Sequence, residues 1–270
     1  MPERPYTLTW LPSVLAAADL KVACVDGYET RGRGDVGTTR GVMCHHTAGR
    51  ALGNMPSLRL LVEGRPNLPG PLAQLGLGRD GTYYVIAAGK ANHSGKGSWN
   101  GVTQGNASLI GIEAEHTGSA SDPWPDVQMD AYRRGVAALL ARLQLSQSAC
   151  VGHKEYARGR KSDPCFDMHH FRAELALHIS GRAPTPTLIP AFEESGSPGR
   201  PTLRRGARLA LVTTLQRTLA LRDDGVFGAR TEAAVRALQR AHGLVPDGIV
   251  GPKTWRALDA LDAPDARSVS

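Results

Sequence analysis

Apolar and polar positions along the chain fall into patterns of different period. Gly41–His46 (GVMCHH) and Leu109–Ala114 (LIGIEA) are short apolar runs that read as buried strands. Leu75–Gly78 and Thr82–Ala87 flank Arg79-Asp80-Gly81 and read as a hairpin with a glycine-assisted turn. Over Val127–Leu145 the residues Tyr132, Val136, Leu139, Leu140 and Leu143 recur at three- and four-residue steps, which predicts a helix. Asp167–Ile179 reads as a shorter helix. The first part of the chain is therefore mixed α/β.

Residues 181–201, GRAPTPTLIPAFEESGSPGRP, neither continue a helix nor alternate as a strand, and read as a linker. The organisation expected is a domain over 1–180, a linker over 181–201 and a second domain over 202–270. The second part holds an internal repeat. Asp224-Gly225-Val226-Phe227-Gly228 is echoed by Asp247-Gly248-Ile249-Val250-Gly251, and Thr231 and Thr254 follow at equal offsets, then Val235 and Leu258. Each unit reads as a tight turn feeding an amphipathic helix, with Pro252 in a first turn where proline is tolerated. Together with a helix around Leu211–Leu219 they predict a small three-helix domain.

Charge narrows the class of partner. The chain of 270 residues carries 32 Lys+Arg against 25 Asp+Glu, a formal net charge of +7. A basic balance favours an anionic partner such as nucleic acid, a membrane surface or a polyanionic cell wall. No dense Lys/Arg block with interleaved aromatics is present, which argues against nucleic acid. No run reaches the roughly 18 consecutive apolar residues of a membrane span. The N-terminal apolar patch is interrupted by Pro12 and followed by Asp19 and Lys21, so it reads as folded protein rather than a signal peptide. The expectation is synthesis in a bacterial cytoplasm, with any action outside it following release by another route. Cys24, Cys44, Cys150 and Cys165 form no CxxC pair and are expected as free thiols. Nothing in the sequence calls for more than a monomer.

Candidate chemistry starts from the histidines. His45-His46 end an apolar strand, His153 lies in Val151-Gly152-His153, and Asp163 follows ten residues later. Two imidazoles and a carboxylate suit a catalytic zinc, leaving a fourth position for water. The residues are far apart in sequence, so only the fold can unite them. The alternative is histidines scattered over a surface.

The runs CHHTAG, IGIEAE and GHKEYARGRKSDP, in that order over about residues 40–175, resemble the type 2 N-acetylmuramoyl-L-alanine amidases, a family similar to peptidoglycan recognition proteins and to many phage endolysins. The arrangement looks particularly like a phage lysis enzyme. The resemblance implies an α/β fold with a mixed central sheet flanked by helices, and hydrolysis of the amide between N-acetylmuramic acid and L-alanine in peptidoglycan, with Zn2+ as cofactor. It places the zinc ligands on His45, His153 and Asp163, with His46 as the fallback for the first and Cys165 as a bystander. Glu113 falls on the family's catalytic acid, a general base with Glu115 as rival on the same strand face. Lys161 falls on the catalytic basic residue, suited to an oxyanion. His93 falls on a position lining the substrate groove. Arg158 and Arg160 read as solvated or as holding the wall polymer, and Trp99 and Trp124 as core packing or as platforms for sugar rings. Residues 203–260 resemble the peptidoglycan-binding type 1 family, which carries no catalytic residues.

Two other readings fit parts of the sequence. A binding protein of the same fold would lack a zinc ligand, whereas His45, His153 and Asp163 are all present. An amidase recycling small muropeptides would have no use for a wall anchor, which raises local concentration at an insoluble polymer.

Overall fold

Burial sets the layers of the first unit. The structure is a computed structural model that describes residues 4–183 and 200–262. These residues form two compact units, one on either side of 184–199. Most of the expected linker, 184–199, lies outside the described residues.

The strands are β1 (Lys21–Cys24), β2 (Gly41–His46), β3 (Gly64–Arg65), β4 (Leu68–Pro69), β5 (Leu75–Leu77), β6 (Thr82–Val85), β7 (Leu109–Ala114) and β8 (Cys150–Gly152). The helices of the first unit are α1 (Leu11–Ala17), α2 (Leu58–Glu63), α3 (Gly105–Ser108), α4 (Asp126–Arg142), α5 (His153–Tyr156) and α6 (Met168–Ile179). Six strands make one sheet in the order β1-β6-β5-β7-β2-β8, while β3 and β4 pair separately. Only β5–β6 is antiparallel within the large sheet. This is the expected α/β architecture with a mixed sheet flanked by helices.

Alternation along the central strands separates two faces. Val42 and Cys44 of β2 and Ile110, Ile112 and Ala114 of β7 pack with Leu11 and Leu15 of α1, with Tyr132, Val136, Leu139 and Leu140 of α4, and with Phe171 of α6. Met43 and Leu109 point the other way, into a cluster with Val102, Val151 and Tyr156. His45 and Glu113 lie two and four residues beyond these, on the second face. The apolar N-terminal patch is folded: Leu8, Leu11 and Leu15 are buried, each such side chain contributing about 1.5–3 kcal/mol.

The hairpin forms as expected, with Leu75 opposite Val85 and Leu77 opposite Tyr83. Gly81 takes φ 78°, and Asp80 accepts from the Thr82 amide at 2.8 Å. β6 stops at Val85 rather than Ala87, because Ile86 and Ala87 both donate to the Gln74 carbonyl and end the ladder. Helix α4 stops at Arg142, short of Leu145. Gln144 adopts φ 58°, its amide returns to the Ala141 carbonyl, and the Leu145 amide returns to that of Leu140, closing the helix in a Schellman arrangement. Helix α6 is capped by Asp167, which accepts from the His169 and His170 amides.

The second unit contains α7 (Ala210–Thr218), α8 (Ala229–Ala241) and α9 (Pro252–Asp262) around Leu203, Val212, Leu215, Phe227, Val235, Val250, Trp255 and Leu258. Its repeat is structural. The Gln216 amide donates to Asp224, the Val226 carbonyl and Thr231, and its oxygen accepts from the Gly225 amide. Gln239 does the same with Asp247, Ile249, Thr254 and Gly248. Each Asp-Gly turn, with Gly225 at φ 70° and Gly248 at φ 76°, is thereby pinned to the helix before it.

Candidate active site

Three neighbouring parallel strands, β7, β2 and β8, deliver side chains at their carboxyl ends, where open α/β sheets place their ligands. β2 ends in His45, and β8 runs straight into α5, whose first residue is His153. That corner is held by Glu155, which accepts from the Gly152 amide at 2.9 Å and pairs with Arg172 at 2.8 Å. The loop after α5 returns so that the Lys154 amide donates to the Asp163 carbonyl at 2.6 Å. His45 Nδ1 then lies 3.0 Å from His153 Nδ1 and 3.0 Å from Asp163 Oδ2, and His153 Nδ1 lies 3.1 Å from Asp163 Oδ2. Both histidines are buried, at 1% and 3% exposure.

The outward nitrogens show why a cation fits between these atoms. His153 Nε2 lies 2.9 Å from the Ser94 carbonyl, which can only accept, so its proton sits on Nε2 and its Nδ1 is a bare lone pair. His45 Nε2 lies 3.1 Å from His93 Nδ1, and His93 Nε2 lies 3.2 Å from the Leu109 carbonyl, which puts the His45 proton on Nε2 as well. Burial pushes the His45 imidazole down to about 4, although Asp163 opposes this, so the ring is neutral near pH 7. Asp163 turns Oδ2 towards both Nδ1 atoms, at 3.0 and 3.1 Å. Two imidazole lone pairs and a carboxylate thus point at one spot with no proton among them. Their spacing suits the metal–ligand bonds of about 2.0–2.2 Å typical of zinc.

Glu113 lies on β7 and Glu115 one residue past its end, and their environments differ. Glu113 is the register partner of His45, and its Oε1 lies 3.8 Å from His45 Nδ1. Its Oε2 is buried and, among the described residues, has no hydrogen-bond partner. Burial raises its pKa well above the usual range, the Asp163 charge adds to this, and the Lys161 charge works against it. Glu115 is bound on both oxygens, by the Ser57 amide at 3.0 Å and the Thr47 hydroxyl at 2.8 Å, and so ties down the loop after β2. Lys161 is exposed, and its charge reaches both His45 and Glu113. His93 is 7% exposed and lies behind His45.

His46 points into a second group with His116 and Cys165, whose donor atoms lie within 4.8 Å of one another. There His116 Nδ1 already accepts from the Gly118 amide at 2.9 Å, which occupies the lone pair a metal would need. Trp124 stacks on His116 with ring centroids 4.0 Å apart and meets Phe166 edge-on. Trp99 lines a groove of about 670 Å³ together with Lys96, Arg158 and Arg160. Arg160 also donates to the Ser94 carbonyl at 3.0 Å, so it braces the same turn that His153 uses. His116, the Ser94 carbonyl and Tyr132, whose hydroxyl accepts from the His45 amide at 3.0 Å, were not legible as site residues. Nothing in their local sequence marks them.

No helix among the described residues is long and apolar enough to cross a membrane. No curated protein matches the chain. Among solved structures it is similar to the N-acetylmuramyl-L-alanine amidase AmiD from E. coli, solved with anhydro-N-acetylmuramic acid-L-Ala-D-gamma-Glu-L-Lys, at 18% identity over 87% of this chain and 95% of that chain, TM-score 0.43. It is similar to the N-acetylmuramoyl-L-alanine amidase LysC from Clostridium intestinale URNW, at 16% identity over 57% of this chain and 97% of that one, TM-score 0.44. A Burkholderia AP3 phage endolysin shares 47% identity over 26% of this chain and 29% of that one, TM-score 0.22. The N-acetylmuramoyl-L-alanine amidase family matches residues 35–166, and the putative peptidoglycan binding domain matches residues 208–258. The first unit accordingly carries an N-acetylmuramoyl-L-alanine amidase domain, and the second a putative peptidoglycan binding domain.

Proposed function

We propose that the chain is a zinc-dependent amidase of the endolysin type, which cuts between N-acetylmuramic acid and L-alanine while its second unit holds the wall. The observation that carries this reading is the convergence of His45 Nδ1, His153 Nδ1 and Asp163 Oδ2 within 3.1 Å of one another, beside Glu113, whose Oε2 has no hydrogen-bond partner among the described residues. Zinc held by these three residues supplies Lewis acidity, which polarises a carbonyl and makes water nucleophilic near neutral pH.

The remaining roles belong to the chain itself. Glu113 takes the proton of the attacking water and hands it to the leaving amine of L-alanine, a task for which its raised proton affinity suits it. Lys161 places positive charge where the oxyanion develops. The groove with Lys96, Trp99 and Arg158 presents cations and one aromatic face to an anionic polymer. Glycosidic cleavage calls for two carboxylates flanking an acetal. Here the second candidate, Glu115, is engaged by Thr47 and Ser57.

Synthesis in a host cytoplasm and action on the wall after release, with 1–180 and 202–270 as separate domains, complete the proposal. Digestion of purified sacculi tests it. Free L-alanine amino groups should appear with no rise in reducing ends, a chelator should abolish the release, and added zinc should restore it. New reducing ends with L-alanine still on the sugar would mean a glycosidase, and full activity in zinc-free protein would remove the metal.

A further inference from the structure

We propose that His93 is a positioning residue of the metal centre: a relay from the Leu109 carbonyl through His93 holds His45 in the one tautomer whose Nδ1 is free to bind metal. The inference rests on the metal-centre reading above and adds a residue outside the ligand set.

The geometry leaves one self-consistent arrangement of protons. The Leu109 carbonyl only accepts, so His93 Nε2, 3.2 Å away, carries the proton of the neutral ring. His93 Nδ1 is then an acceptor, and the atom it faces at 3.1 Å is His45 Nε2. His45 must therefore donate from Nε2, which strips its Nδ1 of hydrogen. The rings meet edge to face at 89°, so one ring's edge addresses the other without stacking. With His93 only 7% exposed, water does not compete for either nitrogen.

The surroundings are built to hold this ring. Gly111 of β7 lies beneath it, and a Cβ there would come within 2.7 Å of His93 Cγ. The Asn106 side chain accepts from the amides of both His93 and Ser94, at 2.9 and 2.8 Å, and so fixes the dipeptide. That dipeptide serves both imidazoles: His93 Nδ1 accepts a hydrogen bond from His45 Nε2, and the Ser94 carbonyl accepts one from His153 Nε2. Outer partners that fix a ligand's tautomer typically account for 10–100-fold in metal affinity. A groove residue has no reason to be enclosed behind a ligand with both ring nitrogens engaged.

The test uses the full chain, stripped of metal, with zinc ion as the probe in competition with a chromogenic chelator. His93→Phe should bind zinc about 10–100-fold more weakly. His93→Gln, whose side-chain oxygen can accept from His45, should recover most of the loss. Gly111→Ala, which alters no ligand, should weaken binding by displacing the His93 ring. Nitrogen NMR of metal-free wild type should find His45 protonated at Nε2 and bare at Nδ1, a preference lost in His93→Phe. If wild type takes up no zinc, the metal-centre reading itself fails. If wild type binds zinc and His93→Phe or Gly111→Ala binds within about twofold of it, the relay is wrong. A rise confined to KM for the wall would then make His93 a substrate contact. If His93→Phe does not fold, the wild-type tautomer together with His93→Gln and Gly111→Ala decides the matter.

Discussion

Glu113 stands 3.8 Å from His45 because the two are register partners on neighbouring parallel strands, β7 and β2. The Glu113 carboxyl and the His45 imidazole are therefore fixed by one ladder of backbone hydrogen bonds, with no loop between them. Glu113→Gln keeps the shape and removes the proton acceptor, so turnover should fall about a hundredfold or more with zinc content unchanged. Glu115→Gln should instead lower the melting temperature, because its hydrogen bonds to Thr47 and Ser57 anchor a loop. Full turnover in Glu113→Gln, measured on soluble muropeptide, would move the base elsewhere.

The adjacent histidines make a sharp pair for metal analysis. His45→Ala should lose bound zinc. His46→Ala and Cys165→Ser should keep one zinc per chain, because their cluster already uses the His116 lone pair on the Gly118 amide. Elemental analysis after gel filtration reads the result directly, and loss of zinc from His46→Ala would reverse the assignment.

Arg79 and Asp122 form a buried ion pair at 2.7 Å, with side-chain exposures of 3% and 14%. Burial raises the Asp122 pKa, but the hydrogen bonds from Arg79 outweigh it and bring the carboxyl down to about 2. A depressed folded-state pKa means stability that is present above the ordinary carboxylate value and lost as pH falls through about 2. Asp122→Ala at pH 7 strands a buried guanidinium and should cost about 3–5 kcal/mol. In urea titrations the gap between variant and parent should narrow from pH 7 towards pH 2.5. A constant gap would mean that the pair is not the source.

Of the two Asp-Gly turns in the second unit, only the one at Asp247 should respond to pH between about 7.5 and 5. Burial raises Asp247 to about 6, against the hydrogen bonds it accepts from Ile249 and Gln239. A raised carboxyl pKa means that the folded state binds the proton more tightly, so the unit gains stability as pH drops from above about 6 towards 4. Asp224, its repeat partner, is held below its ordinary value by the Gln216 hydrogen bond and contributes nothing in that window. Hydrogen exchange of α8 and α9 amides in the full chain should slow between pH 7.5 and 5 beyond the intrinsic effect. Asp247→Asn should remove the extra slowing, and its persistence in the variant would locate the titration elsewhere.

Local pattern fixed those elements whose periodicity outlasts a turn. β2, β7 and α6 could be read from apolar runs and a cap residue, and the repeat in the second unit from its Asp-Gly offsets. β1 and β8, four and three residues long, carry too little periodicity to read. Gln144 ends α4 in a left-handed conformation without the glycine that would have announced it. Gln216 and Gln239 stand eight residues before Asp224 and Asp247, a spacing visible in the sequence but without meaning until the turns fold back onto the helices.

The order of chemical groups is readable along the chain: a strand-ending histidine pair, an acidic strand, a Gly-His corner and an Asp-Pro loop. Alternation along the chain also puts Glu113 and Glu115 on one face, and goes no further, because a period of two cannot distinguish i from i+2. Their environments differ because the fold brings Thr47 and Ser57 to Glu115, whereas Oε2 of Glu113 has no hydrogen-bond partner among the described residues. In the same way the fold turned His93 inward behind His45 and spent the His116 lone pair on a backbone amide. Whether a side chain is a ligand, a base or a brace depends on which atoms fill its remaining hydrogen-bonding positions. Those atoms come from strands and loops distant in sequence, so only the folded chain supplies them.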